Sequence, residues 1–464
     1  MTLRCKCGTS RFLRGPNLVN ILFFDDFFLF SPIPKPAFGR IGSHSGPQDL
    51  LASSKGQQHQ TERQQCYRLA ISLLAILVTT LAVHVGSYAG PPPQETETTN
   101  RLVNNSANQT SEALRLFISG HSLVDQPLPN HLAAIASSLG TPLDWNRQYI
   151  VGSSISARSR GVGSADGSWQ GYQRGFNRTG EGLDVISELR NPKTVAGARY
   201  DALLITEQHG LLGSLTWHDT VRYLRHYHDR LIAGNPRATT YFYESWLGLN
   251  DKSDPRRWIA YERAASPVWQ CIATRINASL DAEGRVDRIK SLPAGAALAD
   301  LVDHATRPEG LPGITQGNTR STVDSLVRDD VHLTELGTYY IALVSYSFIF
   351  GKSPSGAWRP NNVTEVQADS LQKMASGFAS KYATANKPLT LEDCSEQLRS
   401  NFIGTYWGYV RDASWMRETN LFSAYFRWLR HVGQWHWRMR KDSTDNPFLY
   451  RPESDKGYWF ADPR

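Results

Sequence analysis

"LRLFISGHSL", residues 114–123, is the stretch on which the fold turns. Five strand-forming residues run into Ser, Gly, His and Ser, so a buried strand ends in a tight turn that presents the Ser122 hydroxyl. The same short pattern, rich in β-branched or aromatic residues and closed by turn or polar residues, recurs in "DWNRQYIVG" (144–152), "YDALLITEQ" (200–208), "TTYFYESW" (239–246) and "VDRIKSLPAG" (286–295). Between these runs lie helical stretches: "LPNHLAAIASSLG" (128–140), "TWHDTVRYLRHYHDRLIAG" (216–234) and the long segment 256–284, with "LTELGTYYIALVSYSFIFG" (333–351) after the last strand. Gly140 and Gly234 stand where helix stops belong. Strands alternating with helices at this spacing predict an α/β domain over 114–351. A parallel sheet is covered on both faces, with ligands at the carboxyl ends of the strands.

The flanks read differently. Residues 1–66 hold no periodic element and are expected to be a disordered tail or an over-extended gene start. "RLAISLLAILVTTLAVHVGSYAG" (68–90) is the sharpest shift in composition. Its apolar run 69–85 is at the lower limit of about 17–20 residues for a bilayer span and longer than a signal-peptide core of about 7–15. Ser87 and Ala89 have cleavage-site spacing, while Thr79, Thr80 and His84 weaken an anchor, so both fates stay open. Arg63 and Arg68 keep the amino end inside and send the rest out, which makes the domain extracytoplasmic, with the membrane as partner through 69–85 if uncleaved. Residues 91–113 form a polar linker. Beyond 352 the β pattern gives way to a helical, Trp- and Arg-rich extension. It is expected to pack its tryptophans on the main domain, a sugar-stacking or membrane-surface patch being the sharper alternative.

The net charge of +7 is spread along the chain with no block of like charges, which gives little support to nucleic acid, and none is expected as a partner. Of five cysteines only Cys271 and Cys394 follow the apolar run. A disulfide between them is open to an exported domain, but two cysteines make no scaffold, and buried free thiols are the expectation. His218, His226 and His228 are read as a solvated helix face, since His226 and His228 do not share a side. No metal site and no cofactor are expected.

A serine hydroxyl becomes a nucleophile when an imidazole takes its proton and a carboxylate fixes the imidazole. "RDDVHLTELGTYY" (328–340) supplies such a pair: Asp329 stands three residues before His332, just ahead of a helix that Thr334 can cap. Asp330, one residue closer, points away. The G-x-S-x-G elbow is absent, because Ser122 lies in G-H-S-L-V. A nucleophile after the first strand and an acid-x-x-histidine before the last helix resembles the SGNH (GDSL-type) hydrolase superfamily, "GHSL" matching its first block and "DDVH" its last. The resemblance covers residues 114–351.

What the resemblance implies is a three-layer αβα sandwich with a parallel, flavodoxin-like sheet, and serine esterase chemistry without a metal. It also implies an oxyanion hole from the nucleophile's amide, a glycine after the second strand and an asparagine after the third. Gly152 in "YIVGSSIS" matches the glycine. The third block departs: "LLITEQHGLLG" holds no asparagine, and Gln208 or His209 stands where its donor belongs. Losing one such donor costs about 10²–10³ in turnover. Glu207 is read as a carboxylate bonded to loop amides, the other reading being a partner for His209. Glu244 and Trp246, ending the fourth strand, are placed at the cleft rim for substrate binding or packing.

The expected function is therefore a serine esterase that removes or transfers a small O-acyl group, acetyl above all, on an extracytoplasmic carbohydrate or similar polar substrate. Because a histidine base must be neutral to act, hydrolysis is expected to rise with pH through roughly 6 to 7. The alternative from another class is a non-catalytic polysaccharide-binding module for envelope assembly. In that case Ser122 and Asp329 only cap a turn and a helix.

Overall fold

The computed structural model describes residues 112–162, 168–193, 198–385 and 388–460. The segments 1–66, 67–90 and most of the linker 91–113 lie outside them. Among the described residues no helix is long and apolar enough to cross a membrane.

Seven strands form one sheet: β1 (Leu114–Gly120), β2 (Leu143–Tyr149), β3 (Gly175–Phe176), β4 (Gly182–Leu183), β5 (Ala202–Thr206), β6 (Thr239–Tyr243) and β7 (Ile289–Leu292). Their order is β4-β3-β2-β1-β5-β6-β7. The five longer strands pair in parallel, whereas β3 and β4 add a short antiparallel edge that the sequence pattern does not show. Without that edge the order is that of the flavodoxin-like sheet, as expected. Alternation sorts the side chains. Leu116 and Ile118 of β1, Leu204 of β5 and Tyr243 of β6 enter one core, and Phe117, Leu203, Ile205 and Phe242 enter the other.

Helices cover both faces. In chain order they are α1 (Leu128–Ser138), α2 (Ile155–Arg160), α3 (Val185–Arg190), α4 (Leu211–Trp217), α5 (Thr220–Gly234), α6 (Arg256–Ala282), α7 (Ala294–Ala305), α8 (Thr319–Leu326), α9 (Glu335–Phe350) and α10 (Glu365–Ala385). The first core is closed by α1, α7, α9 and α10, the second by α2, α3, α5 and most of α6. Gly140 has φ +70° just past α1, a stop that favours glycine. Gly234 is a different case: it ends α5, and a Cβ there would stand 1.9 Å from the Leu189 carbonyl, so close packing of α3 on α5 demands the glycine.

Two expectations are corrected. His226 and His228 are buried, not solvated. His226 stacks on Trp169 at 3.8 Å and bonds the Tyr172 hydroxyl at 2.8 Å, and His228 bonds Thr240 and Asp287. Both sides of α5 are covered, so two helix faces find partners. Cys271 and Cys394 are joined in a disulfide, not free. It ties α6 to α11 (Leu391–Glu396), which runs through π-helical turns into α12 (Ile403–Val410). The extension, which ends in α13 (Leu421–Arg438) and a short C-terminal segment, packs its tryptophans on the main domain as expected: Phe402, Tyr406, Trp407, Trp415 and Trp435 complete the second core.

Candidate active site

β1 and β5 are neighbours, and chain direction reverses between them: from β1 the chain goes outward to β2, from β5 outward to β6. A crevice at the carboxyl ends of such strands is the standard place for a ligand in this architecture. Ser122 opens the 3₁₀ turn Ser122–Val124 directly after β1. The turn closes tightly, since a Cβ on Gly120 would fall 2.1 Å from a Val124 methyl. His121 is fully buried. Its Nε2 donates to the Glu207 carbonyl at 3.0 Å, which fixes the turn to the end of β5.

His332 arrives from the loop between α8 and α9. That loop is held at many points: Arg328 N–H donates to the His332 carbonyl at 2.8 Å, Leu249 N–H to the Asp330 carbonyl at 2.6 Å, and the Trp246 indole to the Val331 carbonyl at 2.8 Å. Lys252 adds bonds to the carbonyls of Val327 and Arg328. Thr334 caps α9 through Gly337 N–H, and a Cβ on Gly337 would meet the Leu326 carbonyl at 2.2 Å.

The result is a continuous chain. Ser122 Oγ lies 2.9 Å from His332 Nε2, and His332 Nδ1 lies 3.0 and 3.1 Å from the two carboxylate oxygens of Asp329. With a carboxylate on one side, Nδ1 carries the proton and Nε2 offers its lone pair to the serine. Partial burial opposes ionisation of Asp329, but the amides of His332 and Val331 and the imidazole outweigh it and hold its carboxyl down to about 2. Asp329 is thus a permanent anion on the outer side of the histidine.

Beside Ser122 and His332 is a cavity of about 100 Å³, walled by Leu123, Leu128, Trp246, Leu333 and Ile341, with Asp125, Arg328 and Thr338 supplying polar groups. Gly152, Gln208 and His209 do not line it. Gly152 sits in a left-handed turn after β2, with φ +60°, and its carbonyl accepts from the Gln208 side-chain amide at 3.2 Å. Gln208 therefore braces the glycine turn. His209 packs edge-on against His121 at 5.5 Å, its Nδ1 buried without a partner. Burial, then the nearby charge of His332, pushes its pKa down to about 4, so its ring is neutral.

Glu207 accepts from Ile155 N–H, Gln208 N–H and the Thr220 hydroxyl, which is the structural reading. Glu244 does not rim the cleft. It turns toward α6, accepts from Ser266 at 3.1 Å and is almost wholly buried, which pushes its carboxyl up to about 8. Trp246 is also buried; its ring backs the cavity and its N–H holds the histidine loop, so it is a support more than a substrate platform.

Arg158 is the residue that sequence reasoning missed. Entirely buried, it donates to Ser119 Oγ at the end of β1, to Ser153 after β2 and to the Thr206 carbonyl at the end of β5. Burial lowers its pKa to about 10, which leaves it charged at neutral pH. Among the described residues no cluster of His, Cys, Asp and Glu fits a metal ion.

No family model matches this chain, and no curated protein matches it in sequence. Among solved structures it is similar to a DUF4886 family protein from Bacteroides uniformis, at 14% identity and a TM-score of 0.41, with 60% of this chain and 98% of that one covered. At that distance the reading of the site rests on the residues themselves.

Proposed function

We propose that the protein is a serine esterase that hydrolyses or transfers a small O-acyl group, acetyl-sized, on an extracytoplasmic carbohydrate or similar polar substrate. The observation that carries the reading is the unbroken Ser122–His332–Asp329 chain opening on a small cavity. Ser122 Oγ attacks the ester carbonyl while His332 Nε2 takes its proton. As the C–O bond breaks, the same proton passes to the departing alkoxide, leaving an acyl-serine. Water, or a sugar hydroxyl in the transfer reaction, then attacks with His332 again as base, and Ser122 is restored. The amide of Ser122 meets the oxyanion, joined by that of Gly152 if the turn after β2 serves as the resemblance to the SGNH superfamily implies.

Cavity size supports the acyl length: about 150 Å³ admits a benzene ring, so about 100 Å³ suits a shorter group. The disulfide supports an oxidising, extracytoplasmic setting. The carbohydrate acceptor rests on the resemblance to the SGNH superfamily, aided by the export signal and the aromatics.

The test is fluorophosphonate labelling together with turnover of aryl acetates of increasing chain length. Wild-type protein is expected to label at Ser122 and to favour acetate, and Ser122→Ala to lose labelling and about 10³-fold or more of turnover. A folded wild-type protein that neither labels nor turns over ester would favour the second reading, the non-catalytic binding module. That reading draws on one observation: one donor of the Gln208 amide is engaged by the Gly152 carbonyl, in the block where the family's asparagine is missing.

A further inference from the structure

α13 carries a feature that neither the core nor the catalytic chain uses. Its residues Phe422, Phe426, Leu429 and Trp437 are 73%, 61%, 53% and 66% exposed, although each is large and apolar. Exposed Gly433 continues the same row. At 100° per residue these five positions fall within an arc of about 80°, so they form one stripe along the outer face. The inner face is already satisfied, with Ala424 and Trp435 buried and Trp428 and Val432 packed on the second core. The stripe is thus a second apolar face on a helix that has one in place.

Its border is cationic. Arg430 lies beside the stripe, Arg427 and Arg438 follow on the same flank, and the helix contains no Asp or Glu. Just past its end Arg440 holds its guanidinium 5.0 Å from the Trp437 ring. Arg438 pairs with Asp445 at 3.1 Å and Arg427 sits 4.7 Å over Trp415. Arg430 is exposed where the other two are half-buried, and so is the most outward of the three. Phe, Leu and Trp along one face with arginines on the adjoining face is the chemistry of a helix lying in a bilayer interface. The rings enter the acyl boundary and the guanidinium groups reach lipid phosphates.

We propose that α13 docks the domain on an anionic phospholipid surface through Phe422, Phe426, Leu429 and Trp437, with Arg430 on the headgroups. The apolar run 69–85, outside the described residues, is the chain's own route to such a surface whether it is cleaved or retained. The proposal is independent of the esterase reading, since its test contains no ester.

The full-length chain is mixed with vesicles of phosphatidylcholine alone or with phosphatidylglycerol added, and amide hydrogen exchange is followed over residues 421–438. Exchange there is expected to slow on the anionic vesicles. Protection should weaken near 1 M salt, where the screening length falls to about 3 Å. The pair Phe426→Ser and Leu429→Ser, both on the exposed face, should lose it, and Arg430→Glu should reduce it, with exchange in the core strands unchanged. Equal exchange with and without vesicles would overturn the proposal, as would protection indifferent to phosphatidylglycerol. So would protection without lipid that grows with protein concentration, which marks a second copy, or that vanishes when the 69–85 run is made polar, which marks the chain's own segment.

Discussion

Asp329 spends its two oxygens on three partners at once: the His332 ring and the amides of residues 331 and 332. Replacing it by Asn keeps the size but offers the imidazole an amide in place of an anion, which allows the wrong tautomer. The expected loss in kcat is about 10⁴-fold with little change in KM, read from aryl acetate kinetics. Glu244 makes a prediction of the opposite kind. Its carboxyl sits at about 8 in the folded protein against about 4.3 when unfolded. A raised value means stability that is whole below about 4.3 and drains away as pH rises through about 8. Urea unfolding at pH 5 and pH 8.5 should show Glu244→Gln gaining on the wild type as pH increases. Residue-scale legibility was uneven for a plain reason. The Asp329–His332 spacing is local, so sequence displays it, whereas Glu244 and Trp246 were assigned by strand position alone: the Glu244 side chain turns toward α6, and Trp246 is spent on backing the cavity and holding the histidine loop.

At the scale of elements, the five long strands and the helices read over 128–140, 216–234, 256–284 and 333–351 stand where apolar periodicity puts them, whereas the sequence reading leaves out α7 and α8, and the shortest misses share a cause. β3 and β4 are two residues each and too short for any periodicity, and α2 and α3 span only six residues. Arg158, on α2, looks like a surface residue in sequence. It is buried because Ser119, Ser153 and Thr206 meet only once β1, β2 and β5 lie side by side. Replacing Arg158 with Met leaves several oxygens without donors in a dry interior. A cost of about 3–5 kcal/mol is expected from the denaturant midpoint. Because the turns after β2 and β5 share that anchor, aryl acetate turnover should fall even in conditions where the variant stays folded.

For the whole molecule, the sequence pattern marked a helical tail packed on the main domain but not which residues join the two, because the joining contacts pair residues more than a hundred positions apart. The Cys271–Cys394 link encloses a loop of about that length. Such a crosslink is worth about 2–5 kcal/mol, chiefly through the unfolded chain. A double Cys→Ala variant should therefore unfold at lower denaturant, and peptide mapping without reductant should recover the two cysteines joined. The export reading would suffer if native protein yielded both thiols free.

The segment after β6 gives this architecture a wider meaning. Tyr409 of α12 donates to the Gly248 carbonyl, and the next residue, Leu249, grips the carbonyl of Asp330. Arg257 at the start of α6 reaches Asp412 in the same region. The tail thus acts as a backstop for the loop that carries His332, the proposed general base, two steps removed from its imidazole. A protein cut short at residue 351 would retain the residues of the proposed catalytic chain but lose this brace, together with part of the second core.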